Sequence, residues 1–282
     1  MKNLSNYGVT IGAIIAFLLL FSTPPLYAED NYCLNFDGND TGTIPDSPNW
    51  ALGSEDFTFE CWLKMHDLSR HQAIWEQIGA VTNPPYHSAF YLWYIADNRL
   101  SFNLSDNIGG SLGFSTPLNF LETEKWYHVA VVRSSGTLTM YINLEKIVTD
   151  VNPSFTYPDL PDIVTVGYTT YGAPCNLNGS IDELRIWDYA RTPEQLDYWK
   201  NYALSGSEDG LLGYWNFDDP NNIMKDLSPY GNNGQIYGAQ DILSDGPVNP
   251  VTPEPVVPEP ASLLLFGMGG LASALIKRKR KV

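Results

Sequence analysis

The octapeptide FTFECWLK, at positions 57–64, decides the fold class of this chain. Its apolar residues Phe57, Phe59, Cys61 and Leu63 occupy every second position, so in an extended chain they share one face. A period of two residues is typical of a β-strand that buries one face. The stretch therefore predicts a strand whose apolar side packs against a second layer.

The same pattern continues on both sides of this stretch. Short apolar or alternating runs are separated by Asn, Gly, Asp and Pro, which favour turns. Short strands that recur without long helices between them indicate an antiparallel two-sheet sandwich. The further predicted strands are residues 32–36, 89–95, 100–104, 112–114, 126–133, 138–142, 163–166, 181–186 and 211–216.

One short helix is predicted in the second half of the chain. Thr192 suits the N-cap, Pro193 suits the first turn, and Gln195 completes a capping box. Apolar residues at helical spacing predict that the helix continues to about residue 203. Proline and valine dominate residues 245–257, so we expect a stiff linker there.

The first 28 residues have the order of a secretory signal. Lys2 gives a positive start, residues 9–21 form an apolar run, and Ala28 precedes the predicted cleavage before Glu29. The apolar run is too short to cross a bilayer, which needs about 20 residues. We therefore expect residues 1–28 to be removed, and an uncleaved membrane anchor is the alternative.

The C-terminal end has three parts in a specific order. Pro258-Glu259-Pro260 is followed by an apolar run at residues 261–276 and by five consecutive basic residues at 277–281. The basic cluster favours the cytoplasmic side of a membrane. We expect residues 261–276 to be a transmembrane segment that holds the chain at the membrane, transiently or permanently.

This three-part order resembles the PEP-CTERM sorting signal of Gram-negative bacteria, over residues 258–282. The resemblance implies that an exosortase, a membrane-embedded protease, processes the tail. It also implies a protein of the cell envelope, outer surface or extracellular matrix, in a setting often linked to exopolysaccharide and biofilm. An ordinary C-terminal anchor after a Pro-rich linker is the alternative.

Charge and length narrow the class of protein further. Residues 29–257 contain 31 acidic and 10 basic residues, a formal net charge of −21. This charge repels nucleic acid and anionic lipid, so we expect no nucleic-acid partner. The length suits one domain, predicted at residues 29–244.

Cys33, Cys61 and Cys175 permit one disulfide in an exported protein, and all three pairings stay open.

Five segments carry a family resemblance through their order along the chain. They are LNFDG (34–38) with IPD (44–46), FTFECWLK (57–64), WYHVAVV (126–132) with LTMYI (138–142), NGSIDELRIW (178–187), and LGYWNFD (212–218). Together they resemble the LamG-like domain of the concanavalin A-like lectin/glucanase superfamily. The resemblance implies an all-β, two-sheet antiparallel jelly roll, used mostly to bind glycans or proteins. Leu144-Glu145 stands where this family often has a glycine turn, which leaves the turn type open.

Glycanases with this jelly roll resemble one another in a strand that carries alternating carboxylates. Retaining chemistry needs two carboxyl groups about 5–5.5 Å apart. Glu60 stands alone on its predicted strand, and Asp182 and Glu183 are adjacent, so we expect these two to point to opposite faces. The four histidines lie in separate segments and form no His-Glu-x-x-His motif. The sequence therefore indicates a protein that is not an enzyme.

A structural calcium ion is expected from the resemblance. Many jelly rolls of this type hold one at the rim of the sandwich, and carboxylate oxygens suit it. Asp37 and Asp40 follow the first predicted strand, and Asp218 and Asp219 follow the last. Because the first and last strands are neighbours in such sandwiches, we expect these four aspartates to converge. The alternative is that each only forms a turn.

A glycan-binding surface needs aromatic rings beside polar loops. Tyr168 and Tyr171 in one loop are the first candidates, and Trp75 and Tyr86 are further ones. The alternative for each is a core position, since aromatic side chains bury large areas. Other aromatic residues available near loops or a concave sheet are Tyr91, Trp93 and Tyr94.

These patterns predict a non-enzymatic surface module whose partner is extracellular polysaccharide or a surface protein. One alternative is a structural surface protein without a defined ligand. A glycoside hydrolase is a less favoured alternative, because the paired carboxylates are missing from the predicted strands.

Overall fold

A computed structural model describes residues 31–79, 89–106, 109–169, 175–246 and 248. The elements are β1 (Tyr32–Asp37), β2 (Thr41–Ile44), a 3₁₀ turn (Pro48–Trp50), β3 (Phe57–Met65), β4 (Gln72–Ile78), β5 (Ala89–Ile95), β6 (Arg99–Ser105), β7 (Ser111–Ser115), β8 (Trp126–Ser134), β9 (Thr137–Ile142), β10 (Glu145–Val151), β11 (Val164–Val166), β12 (Asn178–Trp187), α1 (Pro193–Trp199), β13 (Leu211–Trp215), β14 (Gln235–Tyr237) and β15 (Gln240–Leu243). The predicted signal at 1–28 and the sorting segment at 258–282 lie outside the described residues.

The strands form two antiparallel sheets. The larger sheet has eight strands, in the order β10-β9-β8-β3-β12-β1-β15, with β13 paired to the second half of β12. The smaller sheet has seven strands, in the order β14-β2-β11-β4-β5-β6-β7. The predicted all-β sandwich of two antiparallel sheets is confirmed.

The apolar faces of the two sheets meet in one core. The alternating apolar residues of β3 point inward and are buried, as the octapeptide predicts. The ring centroid of Phe59 lies 5.4 Å from that of Trp75 and 5.9 Å from that of Phe90, both in the seven-stranded sheet. Such edge-to-face pairs contribute about 0.5–1.5 kcal/mol beyond the burial of their area. The octapeptide therefore lies at the centre of the core.

The outer face of the eight-stranded sheet is covered. Residues 188–210, here called the covering segment, lie across this face and include α1. Thr58, Glu60, Trp62 and Lys64 alternate with the core residues of β3, yet all four are buried. The Trp62 indole donates a hydrogen bond of 2.6 Å to a carbonyl oxygen of the covering segment. The strand is therefore buried on both faces.

The helix α1 begins as predicted. The side chain of Thr192 accepts a hydrogen bond from the backbone N–H of Gln195, and the Gln195 side chain accepts one from the N–H of Thr192, which confirms the capping box. Leu196 is buried and packs on β8. The helix ends at Trp199, before the predicted end near residue 203, because the chain tightens there and the Tyr202 N–H bonds to the Trp199 carbonyl.

The hairpin between β9 and β10 has a two-residue turn. Asn143 and Leu144 both have positive φ values, 50° and 71°. Two successive residues with positive φ are typical of a type I′ turn, which matches the twist of the flanking strands. This turn therefore keeps the hairpin regular although it contains no glycine.

The C-terminal part of the domain returns to the eight-stranded sheet. β15 pairs with β1 at the edge of this sheet. The Asp245 carboxylate then accepts hydrogen bonds of 2.6 Å from Lys64 and 2.7 Å from the Trp126 indole.

Within the described residues no helix is long and apolar enough to cross a membrane, and the predicted segment at 261–276 lies outside them.

Candidate binding face

The two sheets differ in what covers their outer faces. The covering segment buries the outer side of the eight-stranded sheet at β3. On β5 and β6 of the seven-stranded sheet, the inward residues are buried, whereas most outward ones are half-buried. A ligand therefore has better access to the seven-stranded sheet.

Tyr91 and Trp93 form an aromatic pair on this outer face. They are two residues apart on β5, so both side chains point away from the core. Their ring centroids are 5.7 Å apart and their planes make an angle of 54°. In β6, Asn103 lies opposite Tyr91, and Ser101 lies opposite Trp93. These four residues are called the aromatic face below.

The next strand, β7, adds small residues to the aromatic face. Gly113 lies opposite Asn103, and Ser115 lies opposite Ser101. A Cβ atom at Gly113 would come 2.6 Å from the side-chain nitrogen of Asn103 and 2.4 Å from the carbonyl oxygen of Phe102. Glycine therefore leaves room for the Asn103 amide beside the aromatic pair.

Tyr168 and Thr169 form a ridge at the border of the aromatic face. The Thr165 hydroxyl of β11 donates a hydrogen bond of 2.8 Å to the Tyr168 carbonyl, and the Thr169 hydroxyl donates one of 2.9 Å to Glu76. These bonds hold the ridge over β4 and β11, where Glu76 and Thr165 are buried. Since Glu76 lies opposite Tyr91 in the sheet, the ridge borders the aromatic pair.

The tyrosines of this region keep their phenolic protons at neutral pH. Burial raises the pKa of Tyr91 more than the hydrogen bond with Ser101 lowers it, and Glu76 adds to the rise. Burial and the same carboxylate also raise the pKa of Tyr168. A protonated phenol can both donate and accept a hydrogen bond. Both tyrosines can therefore bind hydroxyl groups.

The aromatic face carries no charge of its own. Its two aromatic rings, two hydroxyl groups and one amide are all neutral. On the same sheet, Arg99 at the β5–β6 turn forms an ion pair with Asp97. The Glu76 carboxylate lies under the ridge. This arrangement suits a neutral polar ligand better than an ionic one.

The aromatic residues predicted to bind a ligand have different positions. Tyr168 is half-buried on the ridge, beside the aromatic face. Tyr86 and Tyr171 lie outside the described residues. The prediction for Trp75 is wrong, because this residue is only 1% exposed and its ring centroid lies 6.1 Å from that of Trp215 in the core. A register shift in β4 turns Trp75 and its preceding neighbour inward together.

In the sequence, Tyr91 and Trp93 were only two of several aromatic residues that could contact a ligand. The run AFYLWYI at 89–95 is apolar or aromatic throughout, so no alternation marks its outward residues. The signal lies in the next strand, RLSFNLS at 99–105, where polar residues alternate with apolar ones. Antiparallel pairing of the two runs places those polar residues beside the outward rings.

The three carboxylates considered for catalysis lie beneath the covered outer face. Glu60, Asp182 and Glu183 are all buried. The prediction that Asp182 and Glu183 point to opposite faces is wrong, because β12 has a register shift here and Glu183 has a φ of +52°. This bulge turns both carboxyl groups to the outer side, where Asp182 accepts a hydrogen bond from Ser244 and Glu183 accepts one from Tyr214.

Glu60 is the centre of a buried ionic cluster. Its carboxylate accepts hydrogen bonds of 2.7 Å from Arg191 and 2.9 Å from the Trp187 indole, and His128 lies 3.1 Å away. Burial favours a higher pKa for Glu60, but Arg191, His128 and Arg185 outweigh it and hold the pKa well below its usual range. Because Arg191 belongs to the covering segment, the cluster attaches this segment to the sheet.

The four aspartates predicted to bind Ca²⁺ do not converge. Asp37 and Asp40 lie together at the end of β1, where Asp40 accepts a hydrogen bond of 2.6 Å from the Asp37 N–H. Asp218, next to Asp219, accepts one of 2.7 Å from the Tyr32 N–H at the start of β1. The two pairs are thus about 16 Å apart along the strand. Among the described residues no three His, Cys, Asp or Glu side chains are grouped to hold a metal ion, and calcium stays a prediction.

The three cysteines are free thiols in this structure. Cys33 and Cys61 are buried in the eight-stranded sheet, and Cys175 is half-buried. Burial raises the pKa of the Cys33 thiol to about 12. A thiol with such a pKa is unreactive at neutral pH.

Fold and site together define an all-β jelly-roll sandwich that displays an uncharged aromatic surface on one sheet. Residues 36–197, more than half of the sequence, match the concanavalin A-like lectin/glucanases superfamily in its laminin G-like form. The chain belongs to this superfamily. Residues 256–281 match the PEP-CTERM protein-sorting motif, so the protein is exported and sorted to the cell envelope. No curated protein matches the chain.

Several solved structures are similar to this chain. A candidate carbohydrate-binding protein from Bacteroides ovatus is 20% identical, with a TM-score of 0.58 over 78% of this chain and 62% of its own, so the chain spans less than two thirds of that protein. A SAP-like pentraxin from Limulus polyphemus is 19% identical, with a TM-score of 0.41 over 60% of this chain and 81% of its own. The CBM40 of a Ruminococcus gnavus IT-sialidase, bound to α2,3 sialyllactose, is 16% identical, with a TM-score of 0.47 over 58% of this chain and 94% of its own.

Proposed function

We propose that this protein is a non-catalytic carbohydrate-binding module that holds extracellular polysaccharide at the cell envelope. The observation that carries the proposal is the half-buried Tyr91–Trp93 pair, with Ser101 and Asn103 directly opposite it in the next strand. The jelly-roll fold is shared with a candidate carbohydrate-binding protein, which supports the same reading.

The chemistry of the aromatic face matches a sugar ring. A pyranose ring has C–H groups on its faces and hydroxyl groups at its edges. Aromatic rings offer a large flat contact area for the C–H groups at a low cost in side-chain entropy. The Asn103 amide beside the rings can donate hydrogen bonds to sugar hydroxyl groups and accept them. The Ser101 hydroxyl donates to the Phe114 carbonyl at 3.3 Å, so it serves a sugar as an acceptor. A neutral polysaccharide therefore fits this surface best.

The positions of the carboxylates support binding without hydrolysis. A glycosidase needs two carboxyl groups that reach the scissile bond from a cleft. Glu60, Asp182 and Glu183 are buried under the covering segment, on the sheet opposite the aromatic face. They therefore serve the packing of the domain, and a sugar on the aromatic face does not reach them.

The sorting motif supports a site of action outside the cell. Residues 256–281 match a motif that implies processing by an exosortase. The proposed location is the outer surface or extracellular matrix of a Gram-negative bacterium, where biofilm polysaccharide is available as a ligand. Mass spectrometry of the C-terminus of the mature protein tests the processing step, and an intact tail contradicts it.

Glycan binding is tested with single variants of the aromatic face. We expect Trp93→Ala and Tyr91→Ala each to weaken binding to a polysaccharide about tenfold, because each removes an aromatic contact worth about 1 kcal/mol or more. A glycan array identifies the polysaccharide, with and without calcium, and affinity electrophoresis then ranks the variants.

The matched control is Tyr230→Ala, because Tyr230 is an exposed tyrosine outside the aromatic face. We expect it to bind as the parent protein does. The absence of binding to any glycan contradicts the proposal, and so does an equal loss in all three variants. Release of reducing sugar from the bound polysaccharide contradicts the non-catalytic part alone.

A further inference from the structure

A second concave site lies at the far edge of the seven-stranded sheet. The turn at residues 220–224 stands beside β14 and leaves a pocket of about 390 Å³ between them. Sites for small molecules have volumes of about 300–1,000 Å³, so the pocket is large enough for a sugar unit. In the sheet order, β11 and β4, with the ridge above them, separate this pocket from the aromatic face.

The lining of the pocket combines amide groups with an exposed ring. The Asn221 side chain bonds to the Asp219 carboxylate, whereas the side-chain amide of Asn222 has no hydrogen-bond partner among the described residues. On β14 the Tyr237 hydroxyl donates to the side-chain oxygen of Gln235 at 2.7 Å, which leaves the nitrogen of that amide for a ligand. The Tyr237 ring is 59% exposed, so it is accessible to a ligand.

The remaining lining is apolar and uncharged. Ile223 and Met224 turn their side chains toward the core and form the apolar part of the pocket. Asp219, just before the turn, is held by Lys225 at 3.0 Å, so this charge is already compensated. An aromatic ring, apolar groups and neutral amides together select a neutral polyhydroxylated ligand rather than an anion.

We propose that this pocket is a second binding site for neutral saccharide. The inference takes the ligand class from the proposed function but rests on separate residues. Four strand spacings separate β14 from β5, about 19 Å, so one long polysaccharide can contact both sites. Once the first site is occupied, the second binds at a high effective concentration. The protein then holds long chains more tightly than short ones.

The experiment follows NMR signals of native side chains at the two sites in the full-length protein. The protein is kept in a detergent without sugar headgroups. The methyl group of Met224 reports on the pocket, and the methyl groups of Met65 and Met140 in the core are internal references. The indole of Trp93 reports on the aromatic face. NMR spectra are recorded during titration with neutral oligosaccharides of glucose, galactose, mannose, xylose or arabinose.

We expect the Met224 methyl signal to shift on titration, and Tyr237→Ala to weaken this response about tenfold while the Trp93 response stays. Tyr230→Ala is the matched control, since Tyr230 is 54% exposed and does not line the pocket. A shift at Trp93 without one at Met224 overturns the second site and leaves the proposed function intact. An equal Met224 response in Tyr237→Ala also overturns the second site. No response at either reporter overturns both proposals.

Discussion

At the scale of single residues, Glu60 shows how one buried carboxylate fixes the covering segment. Arg191 donates to it at 2.7 Å, and Arg185 lies 3.8 Å away. The change Glu60→Gln keeps the shape but leaves buried arginine charge uncompensated, which costs about 3–5 kcal/mol. We predict a loss of that order in the free energy of unfolding, measured by urea denaturation with tryptophan fluorescence.

The control for this prediction is an exposed carboxylate of the same type. Glu122 pairs with Lys125 at 3.1 Å on the surface. Exposed ion pairs contribute at most about 1 kcal/mol, so we expect Glu122→Gln to change stability by less than that. Equal losses in the two variants contradict the role given to the buried cluster.

Asp182 makes the folded protein less stable as the pH rises. Burial and the neighbouring Glu183 raise the pKa of Asp182 well above its usual value. The folded protein therefore keeps this proton at pH values where the unfolded chain has lost it, so stability falls as pH rises above about 4. In Asp182→Asn this part of the fall is absent. Denaturation between about pH 4 and 7 measures the slope, and identical slopes contradict the prediction.

The sequence predicts the orientation of single residues only where the strand is regular. The inward positions of β3 follow from alternation, because nothing interrupts the strand. Glu183 has a positive φ, and its strand gains an extra residue at that point. Periodicity assumes equal steps along the strand, so it cannot indicate such a bulge. The same limit explains the wrong prediction for Trp75, which follows the register shift in β4.

At the scale of elements, the β8–β9 hairpin depends on a glycine. Ser135 and Gly136 turn the chain with positive φ values of 50° and 77°. A Cβ atom at Gly136 would lie 2.3 Å from the Cα of Pro153. Gly136→Ala therefore combines left-handed strain with displacement of a neighbouring segment, and we predict a loss of about 2–4 kcal/mol. Urea denaturation measures it.

Gly231 separates the two causes. It has a φ of +63° but nothing within 4 Å of the position that a Cβ would occupy. Gly231→Ala therefore suffers only the conformational strain, about 1–2 kcal/mol. If both alanine variants lose the same stability, the contact with Pro153 is not the cause.

The sequence predicts a strand where a run of apolar residues is sufficient to identify it. The apolar run at residues 89–95 predicts β5 with its observed bounds. The strands β2, β4, β10, β14 and β15 are not among the predicted ones. In β4, Gln77 is buried because its side chain donates to the carbonyl groups of Leu160 and Asp162 at 3.0 and 2.8 Å. β10 is an edge strand with exposed polar residues. Such strands are stabilised by contacts with residues that are distant in the sequence. A local sequence pattern therefore does not predict them.

At the scale of the whole molecule, the C-terminal end of the described domain and the proposed binding face lie on opposite sheets. The side chain of Asp245 bonds to Lys64 and Trp126 on the outer face of the eight-stranded sheet. The sorting motif begins only at residue 256. Tyr91 and Trp93 lie on the outer face of the other sheet. We therefore expect a domain that is held from its C-terminal end to keep the aromatic face free for ligand.

This opposition predicts that the direction of attachment controls binding. In a Cys175→Ser background, Ser207→Cys puts a thiol in the covering segment, and Ser101→Cys puts one in the aromatic face. Cys33 and Cys61 are buried, so a maleimide reagent labels the introduced thiol. We expect protein immobilised through position 207 to bind polysaccharide with an unchanged Kd, and protein immobilised through position 101 to bind at least about tenfold more weakly. Surface plasmon resonance compares the two, and equal binding in both orientations means that the ligand occupies another surface.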